Sequence, residues 1–278
     1  GSPSFPSAFR SPMRFRRPVA IAVVALATTA CIDTLAVPDA RYGVMSIATY
    51  GTSPQAAVMT PEVIFYDKTD LRFTVPAADS CFVTAYSPTG TVDTRSFTLD
   101  AGDFLVQRVG TRVDTLSQFF AGNLVVYRPP SGRLIPFVPG DTLSIQVPGA
   151  PGGFPAVTAN VRTAEAFTHD SVVTTPTGQS MALRWTTPPV AGSLMTFTLR
   201  YANPFSLDAQ PNEQIFCAFT DDGTGAIPDD FLSSWRQAPE ASRSVRAVRL
   251  RSKEIVIDSR TRFVMVSTYG LPLYSAPQ

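Results

Sequence analysis

The chain has 278 residues, with 23 Lys and Arg against 22 Asp and Glu and a formal net charge of +1. So even a balance argues against nucleic-acid binding as a global role, and a single histidine, His169, excludes a multi-histidine metal site within one chain. The 25 prolines and 17 glycines, beside abundant Thr and Val, favour strands and turns over helices.

The first element is the stretch "RFRRPVAIAVVALATTAC", from Arg14 to Cys31. A basic patch (Arg14, Arg16, Arg17) precedes an apolar run from Val19 to Ala27, and small residues follow, Thr28 to Ala30. That is the layout of a signal peptide. The run is shorter than the ~20 residues needed to span hydrocarbon, and Asp33 blocks its extension. The ending Thr28-Thr29-Ala30-Cys31 resembles the lipobox of bacterial lipoproteins, although Thr28 stands where that family has a large aliphatic residue. The resemblance implies that Cys31 is lipidated and becomes the mature N-terminus. It also implies a membrane-anchored protein of the bacterial cell envelope, facing the periplasm or the cell exterior. Ordinary secretion and a retained signal anchor are the alternatives. Cleavage before Cys31 would remove Arg10, Arg14, Arg16 and Arg17 and no acid, leaving 19 basic against 22 acidic residues, near −3. No nucleic-acid partner is expected of such a chain.

Residues 1–31 are thus read as a leader and 32–44 as a polar tether. Strand signals then recur. "LRFTV" (71–75), "DTLSIQV" (141–147), "AVTANV" (156–161), "SMALRW" (180–185) and "TFTLRY" (196–201) each alternate apolar and polar residues. A period of two marks half-buried antiparallel strands, because successive side chains point to opposite faces. The separators are turn chemistry: "SPTG", "DAGD", "RPPSG", "VPGD", "TPTGQ", "DDGTG". Helix is scarce. The best candidate is "IPDDFLSSW", where Pro228 can open a turn and Asp229 and Asp230 suit its N-terminus. The Gly- and Pro-rich "VPGAPGGFP" (147–155) reads as a domain edge and places a boundary near residue 163. Two antiparallel β-sandwich domains follow, 45–163 and 164–278.

In the second of these, "LRWTTPP" followed by "FTLRY" resembles the paired central strands of fibronectin type III modules, and "TRFVMVSTYG" resembles their last strands. The likeness covers roughly residues 170–276. The segment from Gln214 to Trp235 is longer and more acidic than the family pattern. Such immunoglobulin-like folds host many functions, so the resemblance implies architecture more than activity.

The chemistry-bearing residues are few. Cys81 and Cys217 each sit inside a strand-like run. An oxidising compartment permits a disulfide between them, but two separate buried thiols are the simpler reading for residues in different domains. "THDS" (168–171) offers adjacent His169, Asp170 and Ser171, which cannot fold back into a converging triad. His169 reads as an exposed residue in an interdomain connection. Asp221, Asp222, Asp229 and Asp230 cluster around "DDGTG", but a hairpin turn and a capped helical turn account for them without calcium. In "RSVRAVRLRSKE", a strand puts Val248 and Leu250 on one side and Arg249, Arg251 and Lys253 on the other. That basic stripe could touch anionic lipid or an acidic partner; its simpler reading is a solvated face that discourages edge aggregation. Phe119, Phe120 and Tyr127 in "SQFFAGNLVVYRPP" read as core, with a binding surface as the alternative.

The reading that results is an all-β, non-enzymatic extracytoplasmic binding or structural lipoprotein without a cofactor or metal. Its partners would be the membrane, through the N-terminal lipid or signal anchor, and a protein in a membrane complex or surface assembly. The rival is a secreted carbohydrate-active hydrolase or glycan-binding module. A hydrolase would need a carboxylate pair such as Asp222 and Asp230 set ~5–10 Å apart in a cleft.

Overall fold

A computed structural model describes residues 40–53, 56–67, 76–87, 98–121, 124–130, 133–206, 210–270 and 274–275. The leader, Cys31, most of the tether and the "LRFTV" run lie outside the described residues. The first-half strands are β1 (Arg41–Ser53), β2 (Ala56–Tyr66), β3 (Ser80–Ala85), β4 (Phe104–Val109), β5 (Arg112–Ala121), β6 (Leu124–Arg128), β7 (Ile135–Phe137), β8 (Thr142–Val147) and β9 (Val157–Arg162). The second half supplies β10 (Met181–Arg184), β11 (Leu194–Tyr201), β12 (Glu213–Thr220), β13 (Thr224–Ile227), β14 (Ser244–Val256), β15 (Thr261–Gly270) and β16 (Tyr274–Ser275). Among the described residues the helix content is one short helix, α1 (Ser233–Gln237), and single 3-10 turns such as Asp229–Phe231, which Pro228 opens. The fold is all-β.

The alternating runs among the described residues behave as their period predicts. Leu143, Ile145 and Val147 on β8 are buried, as are Ala159 and Val161 on β9 and Phe197, Leu199 and Tyr201 on β11. Leu183, Trp185, Phe197, Leu199 and Phe263 belong to one core.

The expected boundary at residue 163 does not divide the described strands. One large mixed sheet runs β3-β12-β11-β14-β15-β1-β2-β6-β5-β4-β8-β9, and it interleaves both halves of the chain. Strand β1 pairs in parallel with β15, Gly43 opposite Phe263. Strand β3 pairs with β12, Cys81 opposite Cys217, and those two cysteines form a disulfide. The last residues of the expected tether, Arg41 to Val44, sit in β1 opposite Thr261 to Val264.

Strand β14 makes this continuity possible. Residues 244–250 pair with β11, and residues 248–256 pair with β15. One 13-residue strand therefore serves both parts of the sheet. From β15 to β9 the sheet curls until its last strand meets β14 and β15 again. Lys253 Nζ there donates to Asn160 Oδ1 at 2.7 Å, and just beyond β9 the Ala164 N–H donates to Ser267 Oγ at 3.0 Å. The stretch "VPGAPGGFP" is not a linker. Its Gly149 and Phe154 amides donate to the carbonyls of Ala101 and Asp100, and the Phe154 ring is buried 4.4 Å from that of Phe65. A small second sheet, β10–β13, faces β11 and β12, with Trp185 against Phe197 and Phe219.

Candidate functional site

The alternation expected on β14 is present, but its basic face points inwards. Arg249 has no exposed surface. Its Nε and Nη2 donate to Asp221 at 2.7 and 3.1 Å, Nη1 donates to the Ala166 carbonyl at 3.0 Å, and Nη2 also donates to the Thr186 carbonyl. Asp221 further accepts from Trp185 Nε1 at 2.7 Å and from the Ser193 hydroxyl at 2.6 Å. Arg251, 6% exposed, donates twice to Glu165 at 2.8 Å, and also to the carbonyls of Ala191 and Val190. Glu165 takes a third bond from Arg162 Nε at 2.9 Å. Only Lys253 of the three is open to solvent.

The expected exposed stripe is therefore corrected at Arg249 and Arg251. Each meets a carboxylate 28 or 86 residues away in sequence, and a buried charge that is paired and hydrogen-bonded can be retained. Nothing local to "RSVRAVRLRSKE" signals those partners. In the sequence Asp221 reads as part of a hairpin turn.

His169 is not an exposed linker residue. It is half-buried, its ring edge-on to Phe197 at 5.9 Å, and its backbone bridges Trp185. The acids of "DDGTG" divide by task. Asp221 is the buried ion-pair partner. Asp222 Oδ1 accepts the Thr224 N–H at 3.1 Å, closing a turn in which Gly223 has a φ of 98°. Asp229 accepts from Arg236 at 2.7 Å and from the Gly178 amide at 3.0 Å, and the bond from the Arg236 guanidinium holds its carboxyl below the usual range. Asp230 is exposed. Among the described residues no group of three or more His, Cys, Asp or Glu side chains could hold a metal ion.

Of the aromatics in "SQFFAGNLVVYRPP", Tyr127 is core. Its hydroxyl accepts the Ala101 amide at 2.8 Å and lies 3.0 Å from Asp100 Oδ1, and burial pushes the phenol pKa up. Phe119 points the other way and is 43% exposed. Across the outer face it is joined by Phe104 and Val113, 51% and 52% exposed. Phe104 and Arg128 lie opposite Ser117 from either side of β5, so both are diagonal neighbours of Phe119. The Arg128 guanidinium lies 3.3 Å from the centre of the Phe119 ring.

Beyond Arg128 the same face carries Ser46, Ala48, Thr60 and Glu62, in register across β1 and β2. With Pro129 and Arg133 they line a shallow hollow of about 270 Å³. Glu62 also adds its charge to the burial that raises the neighbouring Tyr66 phenol. The arrangement joins two exposed phenyl rings, one face of Phe119 covered by Arg128, to a floor of hydroxyls with one carboxylate and two guanidinium groups. Ser46, Ala48, Thr60, Glu62 and Arg128 sit on hydrogen-bonded strands, and Pro129 and Arg133 lie beyond the end of β6. Comparison of the chain with protein-family models, with curated proteins and with solved structures returns no match.

Proposed function

We propose that this chain is a non-enzymatic binding or structural lipoprotein of a bacterial cell envelope. In this reading Cys31 carries the lipid, and the outer face of β4, β5 and β6 holds a protein of a membrane complex or surface assembly. The observation that carries it is the exposure of Phe104, Val113 and Phe119 together on one sheet face. Large apolar side chains grouped on a surface mark interaction sites, whereas scattered ones need no explanation. The pairing of Cys81 with Cys217 supports an oxidising compartment, hence the extracytoplasmic location. The fibronectin type III-like sandwich belongs to the same proposal. It is supported by the layering of β10 and β13 over β11 and β12. The hydroxyl-lined hollow beside Phe119 favours a second reading, a glycan-binding module.

The test is co-purification from membranes with mass spectrometry, using wild type, Phe104→Ser/Phe119→Ser and Cys31→Ala chains. The double variant should lose its partner while staying membrane-bound, and Cys31→Ala should lose the membrane. Retention of the same partner by the double variant would remove the sheet face from the proposal. A glycan retained in place of a protein would select the second reading.

A further inference from the structure

The curled end of the sheet holds a second hollow, of about 180 Å³, between β9 and β14. Its walls are Asn160, Val161, Arg162, Gly192, Arg251, Ser252 and Lys253. Three of these are cations, and among the described residues the carboxylate bonded to them is Glu165, which Arg162 and Arg251 share. Lys253 has a neutral partner, Asn160 Oδ1. An ammonium group only donates, so that bond turns the Asn160 oxygen towards Lys253 and leaves the amide NH₂ as a further donor. Arg162 bonds Glu165 through Nε alone, and its side chain is 40% exposed. Arg251 is locked from behind by Glu165, Val190 and Ala191. One Nη1 N–H is left over from those bonds, and a Cβ at Gly192 would touch Nη1 at 3.8 Å, so the glycine leaves that edge of Arg251 uncovered.

We propose that this hollow binds a phosphate-type oxyanion, either a free anion or the headgroup of an anionic lipid. The excess of cations, the remaining donors of Arg162, Lys253 and Asn160, and a buried guanidinium beside them suit an oxyanion, because charge-assisted bonds to such donors are short and strong. Arg251 lies in the base and Lys253 at the mouth, so the basic residues of β14 act here as one pocket rather than as a flat stripe. The site is separate from the aromatic face proposed for partner binding and does not depend on that reading.

Titration of the full chain with inorganic phosphate at low salt, followed calorimetrically, is the direct test. Saturable binding is expected, weakened about tenfold or more by Lys253→Gln and by Arg162→Gln, kept by Lys253→Arg, and reduced by added salt. Equal melting temperatures for wild type and Lys253→Gln would show that the loss is local. A second arm measures flotation with phosphatidylglycerol and with phosphatidylcholine vesicles. Because wild type and Lys253→Gln share any lipid anchor, only their difference counts. A difference confined to phosphatidylglycerol identifies a headgroup, and no difference alongside phosphate binding identifies a free anion. Absence of saturable phosphate binding in the wild type, or unchanged binding in Lys253→Gln, would overturn the proposal.

Discussion

Asp221 shows how one side chain can govern a region. Its two oxygens accept four bonds, from Trp185, from Ser193 and twice from Arg249, with almost no solvent contact. Such a pair contributes little net stability when intact, because desolvation offsets the attraction, but losing one member leaves a bare buried charge. Arg249→Met should therefore cost about 3–5 kcal/mol, read as a lower midpoint in urea unfolding. Arg249→Met with Asp221→Asn should recover part of that loss, since no buried charge is left unpaired. A single variant as stable as wild type would show that Asp221 finds water or another cation. At this scale the sequence was half legible. Periodicity put Arg249 and Arg251 on the face opposite Val248 and Leu250. Inside and outside were not legible, because the acids that make the inside tolerable come from other strands and loops.

Among the elements, β1 was the least legible and is the most consequential. A parallel partner such as β15 leaves no local mark, because no turn joins the two strands and the pairing spans most of the chain. One residue does carry a trace of it. Gly43 lies opposite both Phe65 and Phe263, whose rings close over it in a stacked pair 6.0 Å apart. A Cβ at Gly43 would stand 2.7 to 2.9 Å from carbons of both rings. Gly43→Ala should destabilise by about 1–3 kcal/mol through overpacking, measured as a fall in melting temperature. Adding Phe263→Leu should make the alanine less costly than it is alone, and a fully additive pair would argue that the rings do not close over the glycine. The β3–β12 pairing is hidden in the same way. Cys81 and Cys217 read as separate thiols only because their strands read as separate domains.

At the scale of the whole molecule, period-two alternation made the all-β class legible and turn chemistry located many strands. The boundary near residue 163 rests on a stretch that reads two ways. A run of Gly and Pro is as good a tight packed loop as it is a linker, and what distinguishes them is Phe154, which is buried against Phe65 and Phe263. The consequence is testable with fragments. Residues 164–278 made alone would leave β15 without β1 and β12 without both β3 and its disulfide. Residues 37–163 made alone would leave β1 unpaired on one side, and the core of β8 and β9 uncovered. Each fragment would expose unpaired strand edges and apolar faces. Neither should show a cooperative thermal transition, which requires a core of its own. Mixed under oxidising conditions, the two should regain one common transition and the Cys81–Cys217 link. Circular dichroism melts of each fragment and of the mixture decide the matter. Cooperative unfolding of 164–278 by itself would restore the independent fibronectin type III-like domain, and the shared strand β14 would then be a docking contact between two folded units rather than the spine of one.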